Sequence, residues 1–128
     1  DDLVSLISDL SPERNRNQFL ARVFQSIRIE VNDEIKALKE MLLSAQELLK
    51  PSGRLVVLSY HSLEDRVVKN LLKKGNFEGK IEKDFFGNVL KRLKEINTKV
   101  IVASDSEIKK NPRARSAKLR IGEKINYE

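Results

Sequence analysis

The run Arg54-Leu-Val-Val-Leu-Ser-Tyr-His-Ser-Leu-Glu-Asp-Arg66 constrains the fold more than any other stretch of the chain. Leu55 to Leu58 are consecutively apolar and follow the turn signal Pro51-Ser52-Gly53. That pattern predicts a strand over Arg54 to Ser59, buried on both faces as in an open α/β sheet. The polar residues that end it lead at once into a helix. Ser62 reads as its N-cap, and Glu64 and Asp65 face the positive end of the helix dipole. Leu63, Val67 and Leu71, with Val68 and Leu72, form its apolar face, and Lys73-Lys74-Gly75 closes it. Ligands of open α/β sheets bind beyond the carboxyl ends of strands, which places Tyr60, His61 and Ser62 as pocket-wall candidates. The chain carries no glycine-rich phosphate or nucleotide loop. It therefore reads as half of a cofactor-dependent fold, without the half that grips the cofactor.

Upstream, Leu3, Val4, Leu6, Ile7 and Leu10 predict a short helix over 2–10, broken by Ser11-Pro12. Phe24, Ile27, Val31, Ile35, Leu38, Leu42, Ala45 and Leu49 then step by three or four without a slip. Asn32-Asp33 offers a capping pair that would split this stretch. The unbroken phase across it predicts one helix from about Gln18 to Leu49. Downstream, 75–87 reads as a long loop with a short helix around 80–86, anchored to the core by Phe77, Phe85 and Phe86. Leu90 to Val102 holds one or two strands. Ser104 to Pro112 is turn-rich with a helical turn, and Ala117 to Ile125 reads as a closing strand. The closing strand is expected to form an antiparallel edge pair with its predecessor.

The formal net charge of +6 and a pI near 9.6 favour an anionic partner. The densest basic segment is Lys109-Lys-Asn-Pro-Arg-Ala-Arg-Ser-Ala-Lys-Leu-Arg120, six cations in twelve residues with no acid. Lys109, Lys110, Arg113, Arg115, Lys118 and Arg120 are the RNA-binding candidates, since each phosphate neutralised adds a salt-dependent increment to affinity. An ordinary solvated face fits the same residues. If the segment is extended, as Pro112 favours at Asn111, Arg113 and Arg115 project the same way. His61 is the sole histidine. It can act as a base, orient a substrate or bond a nucleotide edge; equally, it can serve a helix-cap network with Ser62. Tyr60 can stack on a base or roof the core. Arg28 is expected to pair with an acid such as Glu30 or Asp65. Cysteine is absent, which excludes disulfides and cysteine-based zinc sites and is compatible with a cytoplasmic location. No metal site is expected, and no apolar stretch approaches the length of a membrane span.

Four blocks in order, Val23 to Glu34, Leu49 to Val57, Ser59 to Arg66 and Asn111 to Arg120, resemble the C-terminal portion of the RsmH/MraW family. That family consists of S-adenosylmethionine-dependent methyltransferases acting on the exocyclic N4 of a cytidine in bacterial small-subunit ribosomal RNA. The resemblance implies a Rossmann-like class I methyltransferase sheet, contributed here by its later strands. It makes Arg54–Ser59 the fifth strand and the strands near 93–99 and 117–124 an antiparallel edge pair. It assigns residues 1–17 to the tail of a helical substrate-recognition insert and 18–128 to the C-terminal part of the methyltransferase domain. Ser52-Gly53 stands where the family commonly has two glycines, and Tyr60 where it often has Phe. The family's glycine-rich donor loop, its acidic ribose-binding residue and its catalytic motif after the fourth strand have no counterpart in these residues. The resemblance thus implies S-adenosylmethionine as cofactor of a longer parent, none for this chain alone, and ribosomal RNA as partner. A non-catalytic RNA-binding or ribosome-assembly module is the competing reading. Self-association through an exposed sheet edge is expected of an isolated piece.

Overall fold

The computed structural model describes residues 16–127; the helix expected over 2–10 lies outside them. The chain divides into two compact units between Lys36 and Ala37. In the first, helix α1 spans Arg16–Asn32. Helix α2, Glu34–Leu48, follows after a single residue, and from Ala37 on it belongs to the second unit. One continuous helix over this stretch is therefore not what forms. Asp33 takes φ 51°, a left-handed conformation that aspartate tolerates better than most residues and that no α-helix continues through. An uninterrupted apolar phase reports which face is apolar, and it is blind to one residue leaving the helical region. Arg28 pairs with Glu34 at 3.1 Å, across the break.

In the second unit, β1 (Arg54–Ser59), α3 (Ser62–Lys74), β2 (Leu93–Glu95), β3 (Ile101–Val102), α4 (Asp105–Lys110), a 3₁₀ helix (Pro112–Ser116) and β4 (Lys118–Lys124) follow in order. This is an α/β arrangement on a small antiparallel sheet. β4 is its centre: β1 pairs along one side, from Arg54 opposite Glu123 to Ser59 opposite Lys118. β2 and β3 are its other antiparallel partners. The closing strand was expected at the edge; instead it lies between β1 and β2. Asn97 bridges the gap between the two short strands, its Oδ1 accepting from the Ile121 amide at 3.1 Å and its Nδ2 donating to Lys99 O at 2.7 Å.

Alternation along β4 divides the sheet into two unlike faces. Arg120 and Gly122, with Val57 and Leu55 across from them and Leu93 opposite Lys124 further along, face α3. Val67, Val68, Leu71 and Leu72 of α3 are buried there, and Leu93 is 1% exposed. A Cβ on Gly122 would stand 2.4 Å from Leu72 Cδ2, so the helix approaches a strand position that only glycine leaves open. The helix ends at Gly75, φ 84°, whose amide donates to Leu71 O. The opposite face carries Val56 opposite Ile121 and Leu58 and Ile101 opposite Leu119. Val56 is 58% and Leu58 53% exposed, so β1 is not buried on both faces as its composition predicts. α3 covers one face only, and no described strand pairs with the outer edge of β1. Leu63 likewise stays exposed at the start of α3.

α2 is tied to the end of the sheet by polar contacts: Lys124 Nζ donates to Gln46 O, and Arg92 pairs with Glu47. The Pro51-Ser52 turn is held to β4 by Ser52 N to Lys124 O and Lys124 N to Gly53 O. Glu123 accepts from Arg54 at 3.1 Å and faces Lys94 at 3.4 Å; the Arg54 hydrogen bond, then Lys94, hold its carboxyl below the usual range.

No helix forms over 80–86. A small hairpin stands there, with Lys83 bridged to Val89. Phe77 is partly covered and receives Lys39 Nζ at 5.5 Å over its ring. Phe85 and Phe86 are 97% and 84% exposed and anchor nothing within the described chain. Aromatic composition predicts burial on average; here the turn geometry of Asp84 and Gly87 lifts both rings outward.

Candidate functional site

The carboxyl end of β1 is the site to which the sequence pointed. The strand ends at buried Ser59, and the chain turns through Tyr60 and His61 into α3. His61, rather than Ser62, occupies the N-cap position. Its backbone is extended, φ −122° and ψ 143°, and its side chain makes no cap hydrogen bond. Ser62 is the first residue of the helix proper. Glu64 and Asp65 occupy its first turn, as the dipole favours.

Asp65 does more than face the dipole. Its Oδ1 accepts from Arg120 Nε at 2.7 Å and its Oδ2 from Nη2 at 3.1 Å. The side chains are 9% and 10% exposed. This forked pair ties the first turn of α3 to the middle of β4, holding the start of the helix over the end of β1. Arg120 therefore leaves the set of RNA-binding candidates: alternation turns it toward the helix, and its guanidinium is engaged inside the unit. Counting cations along a sequence does not distinguish inward from outward positions.

The remaining basic candidates divide by element. Ser104 caps α4, its side chain accepting from the Glu107 amide. Lys109 and Lys110 fall in the last turn, where the helix dipole favours positive charge. Asn111 then extends, as the following proline requires, and its Oδ1 accepts from the Arg113 amide to cap a 3₁₀ helix. Arg113 and Arg115 lie on that helix, both exposed. With three residues per turn, positions two apart diverge by about 240°, so the two arginines do not project together as an extended segment would have them. Ala114 and Ala117, three apart and thus on one side, are buried at 7% and 8%. They turn the inner side of the basic segment away from solvent and leave Arg113 and Arg115 exposed. Lys118, half-buried, stands opposite Ser59.

Between this basic segment and the end of β1 lies an open cavity of about 280 Å³. Leu58 lines it from β1 and Tyr60 from just beyond that strand, Leu119 from β4, and Asn111 and Ala114 from the segment that carries the cations. The structure thus brings Tyr60 together with the basic segment around one apolar hollow. His61 and Ser62 are not among its lining residues. Sequence reasoning missed Leu58 and Leu119 as site residues. Their signal was the open-face alternation shared by the two strands, legible only once their register was known. Among the described residues no cluster of histidine or carboxylate side chains fits a metal ion, and no helix is long and apolar enough to cross a membrane.

The sequence profile of the MraW methylase family matches residues 1–125. Curated relatives are similar over nearly the whole chain. The ribosomal RNA small subunit methyltransferase H of Parabacteroides distasonis is 59% identical over 124 residues, 97% of this chain and 41% of that protein. Those of Phocaeicola vulgatus and Bacteroides thetaiotaomicron are 58% and 57% identical over 123 residues, in each case 96% of this chain and 40% of the relative. The chain thus spans about 40% of the length of the curated relatives it matches.

Proposed function

Because the chain belongs to the MraW methylase family, we propose that it supplies the later strands and the RNA-facing rim of a cytoplasmic enzyme that methylates N4 of a cytidine in small-subunit ribosomal RNA, with S-adenosylmethionine as methyl donor. In this reading β1 is the fifth strand of a Rossmann-like sheet, and earlier strands continue from its unpaired edge. The open face at Val56 and Leu58 is then a face that the rest of such an enzyme covers. What supports this reading is the hollow at the end of β1, floored by sheet residues and lined by Tyr60, with Glu107, Asn111 and Ala114 on its other side, the last two from the segment that also bears the exposed Arg113 and Arg115.

The exocyclic amine of cytosine is a poor nucleophile, since its lone pair is delocalised into the ring. Methylating it requires alignment and removal of a proton, largely a positioning task. Tyr60 offers an aromatic face on which a base can stack, and Lys109, Lys110, Arg113 and Arg115 hold the phosphates on either side. His61 and Ser62 form the neighbouring wall at the start of α3, kept in place by the Asp65–Arg120 pair. The described residues do not fit S-adenosylmethionine themselves. Neither strand-to-helix turn, Tyr60–His61 or Ala103–Ser104, carries a glycine that would let the backbone close around the donor.

The test is an Arg113→Ala, Arg115→Ala double variant of the full-length protein. Its folding and donor affinity are expected to be intact and methyl transfer to be lost. The slope of log affinity against log salt falls by about 1.4 for two single-strand phosphate contacts. Unchanged RNA affinity across several salt concentrations removes the assignment. RNA binding by a wild-type protein that transfers no methyl group favours the assembly-module reading instead.

A further inference from the structure

The hollow at the end of β1 is lined by one acid, and that acid stands on the side that carries the cations. Glu107 lies in the first turn of α4 and lines the hollow together with Asn111, Tyr60 and otherwise apolar residues. Its backbone is held at both ends: the amide donates to Ser104 Oγ at 3.3 Å, and the carbonyl accepts from the Asn111 amide at 2.8 Å. The second bond sets Asn111 above Glu107, four positions on, along one side of the helix. Asn111 Oδ1 is taken by the Arg113 amide at 3.2 Å, which leaves the Nδ2 hydrogens to donate elsewhere. The Glu107 carboxylate has no hydrogen-bond or ion-pair partner among the described residues, although Lys109 and Lys110 follow it in the last turn of α4. An acid that its neighbouring cations leave unpaired repels phosphate. The interior of the hollow therefore does not suit the RNA backbone. What it offers beside the Tyr60 ring is an acceptor next to a donor.

We propose that Glu107 selects the base: the hollow takes an unpaired base by its amine-bearing edge, with Glu107 accepting from the exocyclic amine and Asn111 Nδ2 donating to the adjacent ring nitrogen. The inference rests on the RNA-methylating reading above and names the residue that discriminates its substrate. Cytosine offers a donor at N4 and an acceptor at N3, the complement of this pair, and a carboxylate accepting from cytosine N4 is a recurrent side-chain pairing. Uracil places an acceptor, O4, against the carboxylate and a donor, N3–H, against the amide, so both positions meet a like group. Adenine carries the same amine-bearing edge as cytosine, so the pair rejects keto bases rather than naming a single base. The cations outside supply affinity that depends on salt and not on sequence. The acid inside supplies the choice.

The experiment measures binding of the full-length protein to a single-stranded ribosomal RNA oligonucleotide that carries cytidine or uridine at the position the protein methylates. The wild type is expected to bind the cytidine form about tenfold or more tightly. Glu107→Gln has the same shape but can donate as well as accept. It is expected to bring the two affinities within about twofold of each other, with its melting curve and salt slope unchanged. Equal binding of the two forms by the wild type overturns the proposal, and so does a cytidine preference that Glu107→Gln leaves intact. A variant that binds both forms more tightly by one common factor overturns it too, and reduces Glu107 to a repulsive surface charge. Failure of the wild type to bind or methylate the RNA removes the RNA-methylating reading together with this one. Methyl transfer with a preference untouched by Glu107→Gln removes this one alone.

Discussion

Replacing Asp65 with alanine leaves the Arg120 guanidinium buried beneath α3 without its counter-charge. Two unit charges about 4 Å apart interact by about 4 kcal/mol at an effective dielectric of 20. Removing one partner of a buried pair is measured at about 3–5 kcal/mol, since the survivor keeps its desolvation cost. The forked geometry at 2.7 and 3.1 Å, with side chains 9% and 10% exposed, places this pair in that class. The Arg54–Glu123 pair, whose arginine side chain is 61% exposed, belongs with solvent-screened surface pairs, whose net contribution is small. Asp65→Ala should thus lower the melting temperature by roughly 12 °C or more for a domain of this size, and Arg54→Ala by a few degrees at most. A double Asp65→Leu, Arg120→Met variant, which removes both charges, should recover most of the loss. Thermal and urea denaturation followed by circular dichroism measure all three. A loss below about 1 kcal/mol for Asp65→Ala refutes the burial argument. An Arg120→Met protein that is as stable as wild type but loses RNA affinity refutes it too, and returns Arg120 to the phosphate contacts.

Gly122→Ala should destabilise by about 1–3 kcal/mol through overpacking against Leu72; equal urea midpoints would show that α3 yields without cost. Gly75→Ala meets Leu90 O at 2.1 Å in a left-handed conformation, so it should destabilise at least as much, and a stable variant means the turn re-forms elsewhere. Asp84 is held below the ordinary 3.8 first by the Asn88 amide hydrogen bond, with its side chain and the Phe86 amide adding to it. The folded tip of the Lys83–Val89 hairpin therefore gains stability above 3.8 and loses it as pH falls through the lower folded value. Phe86 and Asn88 amide resonances followed by NMR should stay constant from neutrality to about that value and shift only below it, and a midpoint above 3.8 contradicts the turn geometry. The isolated 128-residue chain should self-associate through the unpaired edge and open face of β1. Sedimentation should show concentration-dependent oligomers that Val56→Lys with Leu58→Lys dissolves; a monomer at high concentration counts against this.

Local chemistry made much of the architecture readable along the chain. Four consecutive apolar residues after Pro51-Ser52-Gly53 mark β1. The charges flanking Leu63 to Leu72 mark both ends of α3, and alternation of Leu119 and Ile121 marks β4. The same reasoning selected Tyr60 and the basic segment and found the family resemblance, because strand ends, caps and charge runs are properties of neighbours in sequence. What pairs with what is set by contacts distant in sequence. Register put β4 at the centre of the sheet and turned Arg120 inward to Asp65, while Lys109, Lys110, Arg113 and Arg115 stayed outside. Backbone geometry at single residues, Asp33 at the helix break and Asp84 at the hairpin tip, split a helix with unbroken apolar phase and exposed Phe85 and Phe86. Hydrophobic periodicity averages over a whole face, whereas one left-handed residue or one carboxylate-closed turn redirects the chain at a point, so only the assembled structure fixes which side chains are free to meet a ligand.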